Sequence, residues 1–313
     1  MKHTLLAVLT ASVLAGFAPA SFPASSADQC QSERVKLQML GTRGPELWDA
    51  RASTSYLLWL DGKARVIVDA GPGSVQRFEQ SDASYDDLRL FLFTHFHADH
   101  SADFPAYIKG GFFTDRTEDL LVFGPNGNEY LPSAEQFVER LFGQESGVYP
   151  YLNSFIDDQA HSSYKIRATD VESSYKNLNE RVIYTDDDIS VTAVSVHHAV
   201  LLALGYRVEL AGCVISFTGD MSGRFRTMPD LARNSDILVA HNAIPEEETG
   251  AGQLLHMKPS YIGELAFKAN VKQLLLTHLM KRSVDRKKET LQLIRKNYTG
   301  PVSFPDDLDV IYP

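Results

Sequence analysis

Apolar runs of this sequence repeatedly end on a histidine or an aspartate. The run "LRLFLF" at 88–93 passes into "THFHADH" at 94–100, "ISVTAVSVHH" closes on His197 and His198, "GCVISFTGD" on Asp220, "DILVAHN" carries His241 and "VKQLLLTHL" carries His278. Short runs rich in Val, Ile, Leu and Phe, bounded by turn residues, read as β-strands. Strands that carry ionisable groups at their carboxyl ends bring them to one edge, where open sheets keep their sites. Side chains two apart in extended chain point the same way, so His95 and His97 can grip one ion. Asp99 and His100 fall where the chain turns toward the helix start "SADFPAYIKG" and are re-aimed at a neighbouring point. Two zinc-like ions side by side become natural, held by imidazole and carboxylate without thiolate. Each needs about four ligands. The remainder must come from among His197 or His198, Asp220, His241 and His278.

The rest of the chain supports a layered α/β (α+β) fold. "VKLQML", "STSYLLWL" and "ARVIVDAG", separated by "GTRGPE" and "DGK", read as an antiparallel meander. "LLVFGP" is a further strand, and "PSAEQFVERLF" has helical spacing. Residues 143–187 are rich in Gly, Ser, Tyr and Asp and are expected to form an irregular surface excursion. A second strand-rich group follows, with a tight turn at Ala211-Gly212 and the helical segment "KPSYIGELAFKAN" before the last apolar strand. A basic amphipathic helix is expected near 283–297, its Lys and Arg forming a solvated face. Two such halves suggest two packed sheets with helices outside, forming a single domain over 28–313.

The first 27 residues have a basic start, an apolar run from Leu5 to Ala18 and small residues at two sites. They read as a secretory signal peptide, cleaved after Ala20 or Ala27, with no membrane span left in the mature chain. The protein is then expected in the periplasm or outside the cell. An oxidising compartment permits a bridge between Cys30 and Cys213, although Cys213 in an apolar strand is equally compatible with a buried thiol. The net charge of -10 opposes broad contact with a polyanion. Any anionic substrate must therefore be drawn by a local field.

"THFHADH" resembles the His-x-His-x-Asp-His signature of the metallo-β-lactamase superfamily, and the downstream "VTAVSVHH", "FTGD" and "HMKPSYIGELAFKANVKQLLLTH" resemble its ribonuclease Z-like branch and secreted arylsulfatase-like relatives. The resemblance implies a four-layer αββα sandwich of two mixed sheets with helices on both outer faces. It implies two Zn2+, or Mn2+ or Fe2+ in their place, the first held by His95, His97 and His198, the second by Asp99, His100 and His278, with Asp220 between them. His198 is taken over His197 because the family's ligand follows a Val-x-Ala-x-x-x-x-His strand and precedes Gly-Tyr-Arg. Asp99 and His256 are implied as catalytic residues, His256 as proton donor or transition-state stabiliser. His241 is expected to orient a ligand by hydrogen bonding, and His161 and His3 to be bystanders.

Divalent ions activate water without a serine or cysteine nucleophile and stabilise charge on the attacked group. The expected reaction is ester hydrolysis. By similarity to the secreted branch, a sulfuric ester of a phenol-like alcohol leads, with a ribonuclease Z-type phosphodiesterase or a lactone or carboxylic ester hydrolase as alternatives. A zinc-holding binding protein without turnover is the non-enzymatic one. The expected partner is a small anionic or aryl ester, with no nucleic acid. Phe112, Phe113, Tyr149, Tyr151 and Phe155 are candidates to wall an aryl pocket. A homo-oligomer is left open.

Overall fold

The computed structural model describes residues 29–313; the expected signal peptide and His3 lie outside the described residues. Strands β1 (Val35–Gly41), β2 (Ser55–Leu60), β3 (Lys63–Val68), β4 (Leu90–Leu92), β5 (Leu120–Pro125) and β6 (Ile166–Val171) run in that order across one sheet. The second is built of β7 (Arg181–Thr185), β8 (Ile189–His198), β9 (Leu201–Leu210), β10 (Cys213–Phe217), β11 (Ile237–His241), β12 (Gln273–Thr277) and β13 (Val302–Ser303). The last strand, β14 (Val310–Ile311), returns to the first sheet beside β1. Both sheets are mixed. β1 to β3 and β7 to β10 pair antiparallel, through short turns except for the long connection 42–54 between β1 and β2, while β3 to β6 and β10 to β13 pair parallel.

The two-residue period of a strand sorts the apolar side chains into layers. Tyr56, Leu58 and Leu60 of β2 face Val191, Tyr206, Ile215 and Val239 between the sheets, whereas Leu57 and Trp59 turn outward. That outer face packs beneath the helices Phe104–Gly111 and Ala134–Phe142. On the other sheet, Leu238, Ala240 and Leu276 face outward under the helices Pro259–Lys268 and Lys287–Ile294. Helix, sheet, sheet, helix is thus the layering.

Three local expectations need correction. The 143–187 excursion contains β6 and β7 and a short 3₁₀ turn at Pro150–Phe155. Both strands lie at sheet edges with side chains half in water, so they lack clean apolar alternation. The C-terminal helix is two pieces, Lys281–Val284 and Lys287–Ile294. The strand read from "LRLFLFTH" is only β4, because Asp69 Oδ1 accepts the Thr94 amide at 2.8 Å and draws the chain off the ladder. Cys30 and Cys213 form a disulfide, joining the segment before β1 to the start of β10. No helix among the described residues is long and apolar enough to cross a membrane.

Candidate metal centre

The carboxyl ends of β3, β4, β8, β10, β11 and β12 meet at one edge of the sandwich. Ligand-capable atoms of His95, His97, His198 and Asp220 all lie within 4.8 Å of one another, as do those of Asp99, His100 and His278. A third such group joins Asp220 to His256 and His278. Asp220 therefore stands between the two ligand sets: its Oδ2 is 3.5 Å from His100 Nε2 and 3.9 Å from His198 Nε2, and its Oδ1 is 3.3 Å from His278 Nε2. Asp99 Oδ2 lies 3.5 Å from His100 Nε2 and 3.8 Å from His278 Nε2.

The fit to a cation is visible in the hydrogen bonding. The Nε2 atoms of His95, His100, His198 and His278 are buried and without a partner. The opposite ring nitrogens are engaged: Nδ1 of His100 donates to Asp69 Oδ2 at 2.8 Å, and Nδ1 of His198 to the Leu255 carbonyl at 2.9 Å. His278 Nδ1 lies 2.7 Å from Thr54 Oγ1 and His95 Nδ1 3.2 Å from Thr94 Oγ1. An imidazole whose Nδ1 is held in this way directs the Nε2 lone pair at a metal. Four buried orphan nitrogens would otherwise each cost a desolvation penalty.

Electrostatics agree. Burial, reinforced by neighbouring imidazoles, holds His95 well below its ordinary pKa, and burial takes His198 down to about 3. Burial likewise keeps His278 well below the usual range, against the pull of Asp220. Neutral imidazoles are the ligand form. For His100, burial also opposes the charge, but Asp99, Asp69 and Asp220 outweigh it and raise the pKa well above normal. Burial would raise Asp220, yet His278, His256 and His100 hold it well below the carboxylate range. Three carboxylates around one imidazole favour positive charge there, which a divalent cation supplies.

His256 follows the helix Ala251–Leu255 and is buried, its Nδ1 without a hydrogen-bond partner and 3.6 Å from Asp220 Oδ1. Its ring lies 5.8 Å from that of His198 and 5.5 Å from that of His278. His241 Nδ1 sits 2.8 Å from Asp220 Oδ1, and its Nε2 is 2.9 Å from Tyr56 Oη. His197 turns to the opposite side of β8 from His198, with Nδ1 2.7 Å from Ser222 Oγ, and His161 is exposed. Of the five aromatic residues offered for an aryl pocket, Phe155 is core against Tyr164 and meets Phe112 edge to face, Phe112, Phe113 and Tyr151 gather on the surface around Lys109, and Tyr149 lies beside Tyr151. Missing from the sequence reading is Asp69, the residue that orients His100. Its signal was present, since "VIVDAG" ends an apolar strand on an acid as "ISFTGD" does.

The sequence profile of the Beta-lactamase superfamily domain matches residues 64–279. Ribonuclease Z of Haloferax volcanii is 25% identical over 301 residues, covering 87% of this chain and 93% of that protein. Ribonuclease Z of Methanosarcina mazei is 22% identical over 305 residues, covering 89% of this chain and 98% of its own length. Among solved structures, human tRNase Z, short form, superposes with a TM-score of 0.69 at 18% identity over 88% of this chain and 98% of that one. These likenesses correct two expectations. Sulfuric ester hydrolysis gives way, because relatives aligned along nearly the whole chain are ribonucleases by name. The exclusion of nucleic acid in favour of a small-molecule ester gives way with it. It rested in part on a net charge summed over the whole chain, which does not fix the field at one edge of a sheet.

Proposed function

Because the chain belongs to the β-lactamase superfamily, we propose that this metal-dependent hydrolase is a phosphodiesterase of the ribonuclease Z type, with RNA as its substrate. The observation that carries the reading is a pair of ligand sets with Asp220 standing between them. His95, His97 and His198 would hold one divalent ion and Asp99, His100 and His278 the other, zinc being the first choice for imidazole and carboxylate donors. A bound divalent pair supplies Lewis acidity toward phosphoryl oxygens and lowers the pKa of water. Asp220, between the two sets, is oriented by the hydrogen bond from His241, which is in turn held by Tyr56. Asp99, on the short helix Ala98–Ser101 after β4, points its carboxylate at His100 and His278 and would accept a hydrogen bond from a water activated there. His256, beside Asp220 and free of other partners, holds the proton that the leaving oxygen takes up. The Cys30–Cys213 bridge and the apolar N-terminal run support work in an oxidising compartment, outside the cytoplasm.

The test is hydrolysis of a single-stranded RNA and of bis-p-nitrophenyl phosphate by the full chain, with metal content measured by mass spectrometry. Cleavage should vanish on chelation and return with zinc or manganese. Asp220→Ala should lose bound metal and at least about a hundredfold in turnover. Full metal content with unaltered turnover in that variant, or no phosphodiester cleavage by the loaded wild type, would overturn the reading.

A further inference from the structure

Two residues beyond Asp220 the chain enters the short loop Ser222-Gly223-Arg224-Phe225-Arg226, which alternates glycine, cations and an aromatic ring. The loop is pinned beside the metal centre: the Ser222 amide donates to the His197 carbonyl at 2.8 Å, and Ser222 Oγ lies 2.7 Å from His197 Nδ1. Gly223 has φ +81°, and a Cβ there would lie 2.3 Å from the Tyr261 ring, so only glycine lets the loop rest on that tyrosine. Phe225 meets His197 edge to face at 5.2 Å and Tyr175 at 5.3 Å. Tyr175 remains 46% exposed. Arg224 and Arg226 are exposed, with the Arg226 guanidinium 5.8 Å over Tyr261 and 3.4 Å from Glu264, which also pairs with Lys268.

Between this loop and His256 lies a cavity of about 360 Å³, lined by Arg224, Arg226, Lys258, Gln253, His256 and Tyr261 among others. Its volume is in the range of small-ligand sites, roughly 300–1,000 Å³. Three cations gather here in a chain of net charge -10. Tyr261 Oη is buried in its wall without a hydrogen-bond partner. A cationic hollow with the Tyr261 ring in its wall, and Phe225 of the same loop against Tyr175 beside it, has the general form of a single-strand binding groove.

We propose that this loop and cavity form a subsite for single-stranded RNA, holding the phosphate next to the scissile one on Arg224, Arg226 and Lys258, with a base stacked on the Phe225–Tyr175 edge. The inference rests on the phosphodiesterase reading for its substrate class and goes beyond it in placing the strand. Asp220 and this loop share one turn of chain, so the same backbone that positions the metal ligand also sets the substrate's register.

The test measures binding of a fluorescein-labelled ten-nucleotide single-stranded RNA to the metal-loaded protein by anisotropy, as a function of salt. Arg224→Ala/Arg226→Ala should weaken binding about tenfold or more and reduce the slope of log affinity against log salt by about 1.4, two contacts at 0.7 each. Phe225→Ala should weaken binding about tenfold with the slope kept, since stacking releases no counterions. Arg140→Ala/Arg167→Ala, which removes the same charge from another part of the surface, should leave both quantities unchanged; circular dichroism checks that all variants are folded. Wild-type affinity and slope in the loop variants would overturn the subsite, as would equal losses in the surface control. RNA cleaved normally while the loop variants bind as wild type sinks this inference alone; RNA bound through the loop but never cleaved sinks the phosphodiesterase reading alone.

Discussion

Asp69 and His278 adopt φ of 58° and 54°, a left-handed conformation uncommon for residues other than glycine. Both are tied into the metal edge. Asp69 accepts from the Thr94 amide and hydroxyl and from His100 Nδ1, and His278 is fixed by Thr54 at its own Nδ1. Some other non-glycine residues with positive φ lie in turns, such as Asp61 and Ala211, but at these two positions the strain is held by the bonds that aim ligands. Unlike His95, His100, His198 and His278, His256 has no such support on Nδ1. It faces Asp220 from the cavity side, which suits a group that exchanges a proton. His256→Ala should therefore keep nearly full metal content while kcat falls about 10²- to 10⁴-fold. Metal analysis beside steady-state kinetics checks it; unchanged kcat would return this histidine to a packing role. The clustered histidines at 95–100 were legible because their spacing is local. The choice of His198 over His197 was not legible from residue type, because adjacent strand residues differ only in the face they take, and the partner strand decides which face is inside.

At the scale of elements, the metal loop depends on the segment that follows β3. The Ala70 amide donates to the His100 carbonyl at 2.6 Å and the Asp103 amide to the Ala70 carbonyl at 3.0 Å. Gly71 completes the contact: a Cβ there would lie 2.2 Å from the Asp99 carbonyl oxygen and 2.8 Å from the Ser53 backbone. Backbone on both sides leaves nothing that can rotate away. Gly71→Ala should destabilise the fold by about 1–3 kcal/mol and lower metal affinity by moving Asp99. Urea unfolding together with a zinc titration measures both, and wild-type values in each would show that the loop tolerates the displacement. The helix Ala134–Phe142 could be read from its sequence because it carries its own punctuation, Ser133 and Gln136 forming a reciprocal capping box. β6 and β7 carry none: their side chains are half-buried at the sheet edges, and they are strands because β5 and β8 offer them hydrogen bonds.

Over the whole molecule, the two sheets are joined at both ends of the sandwich. At the metal edge, Tyr56 Oη from β2 lies 2.9 Å from His241 Nε2 and 2.8 Å from Thr277 Oγ1 on the other sheet, and the Leu204 amide donates to the Thr94 carbonyl at 2.9 Å. At the start of β10, away from Asp220, the disulfide ties Cys213 to Cys30 across a separation of 183 residues. A loop that long loses much chain entropy when closed in the unfolded state. Cys30→Ser/Cys213→Ser should accordingly lower unfolding free energy by about 2–5 kcal/mol while leaving metal content intact, because the bridge stands at the other end of the strand. Denaturant unfolding at fixed zinc concentration tests this; equal stability of the two forms would mean that the unfolded chain is not constrained by the bridge.

Period and punctuation in the amino-acid order were enough to determine the strand and helix identities along most of the chain, the layered class and the metal-seeking character of the 95–100 loop, since these depend on residues a few positions apart. The tertiary structure decided which strand ends converge, that Asp69 stands behind His100, that the two cysteines meet, and that Arg224, Phe225 and Arg226 flank the centre. Those outcomes depend on contacts between residues tens to hundreds of positions apart, and such contacts exist only once both sheets have paired and closed on a common core.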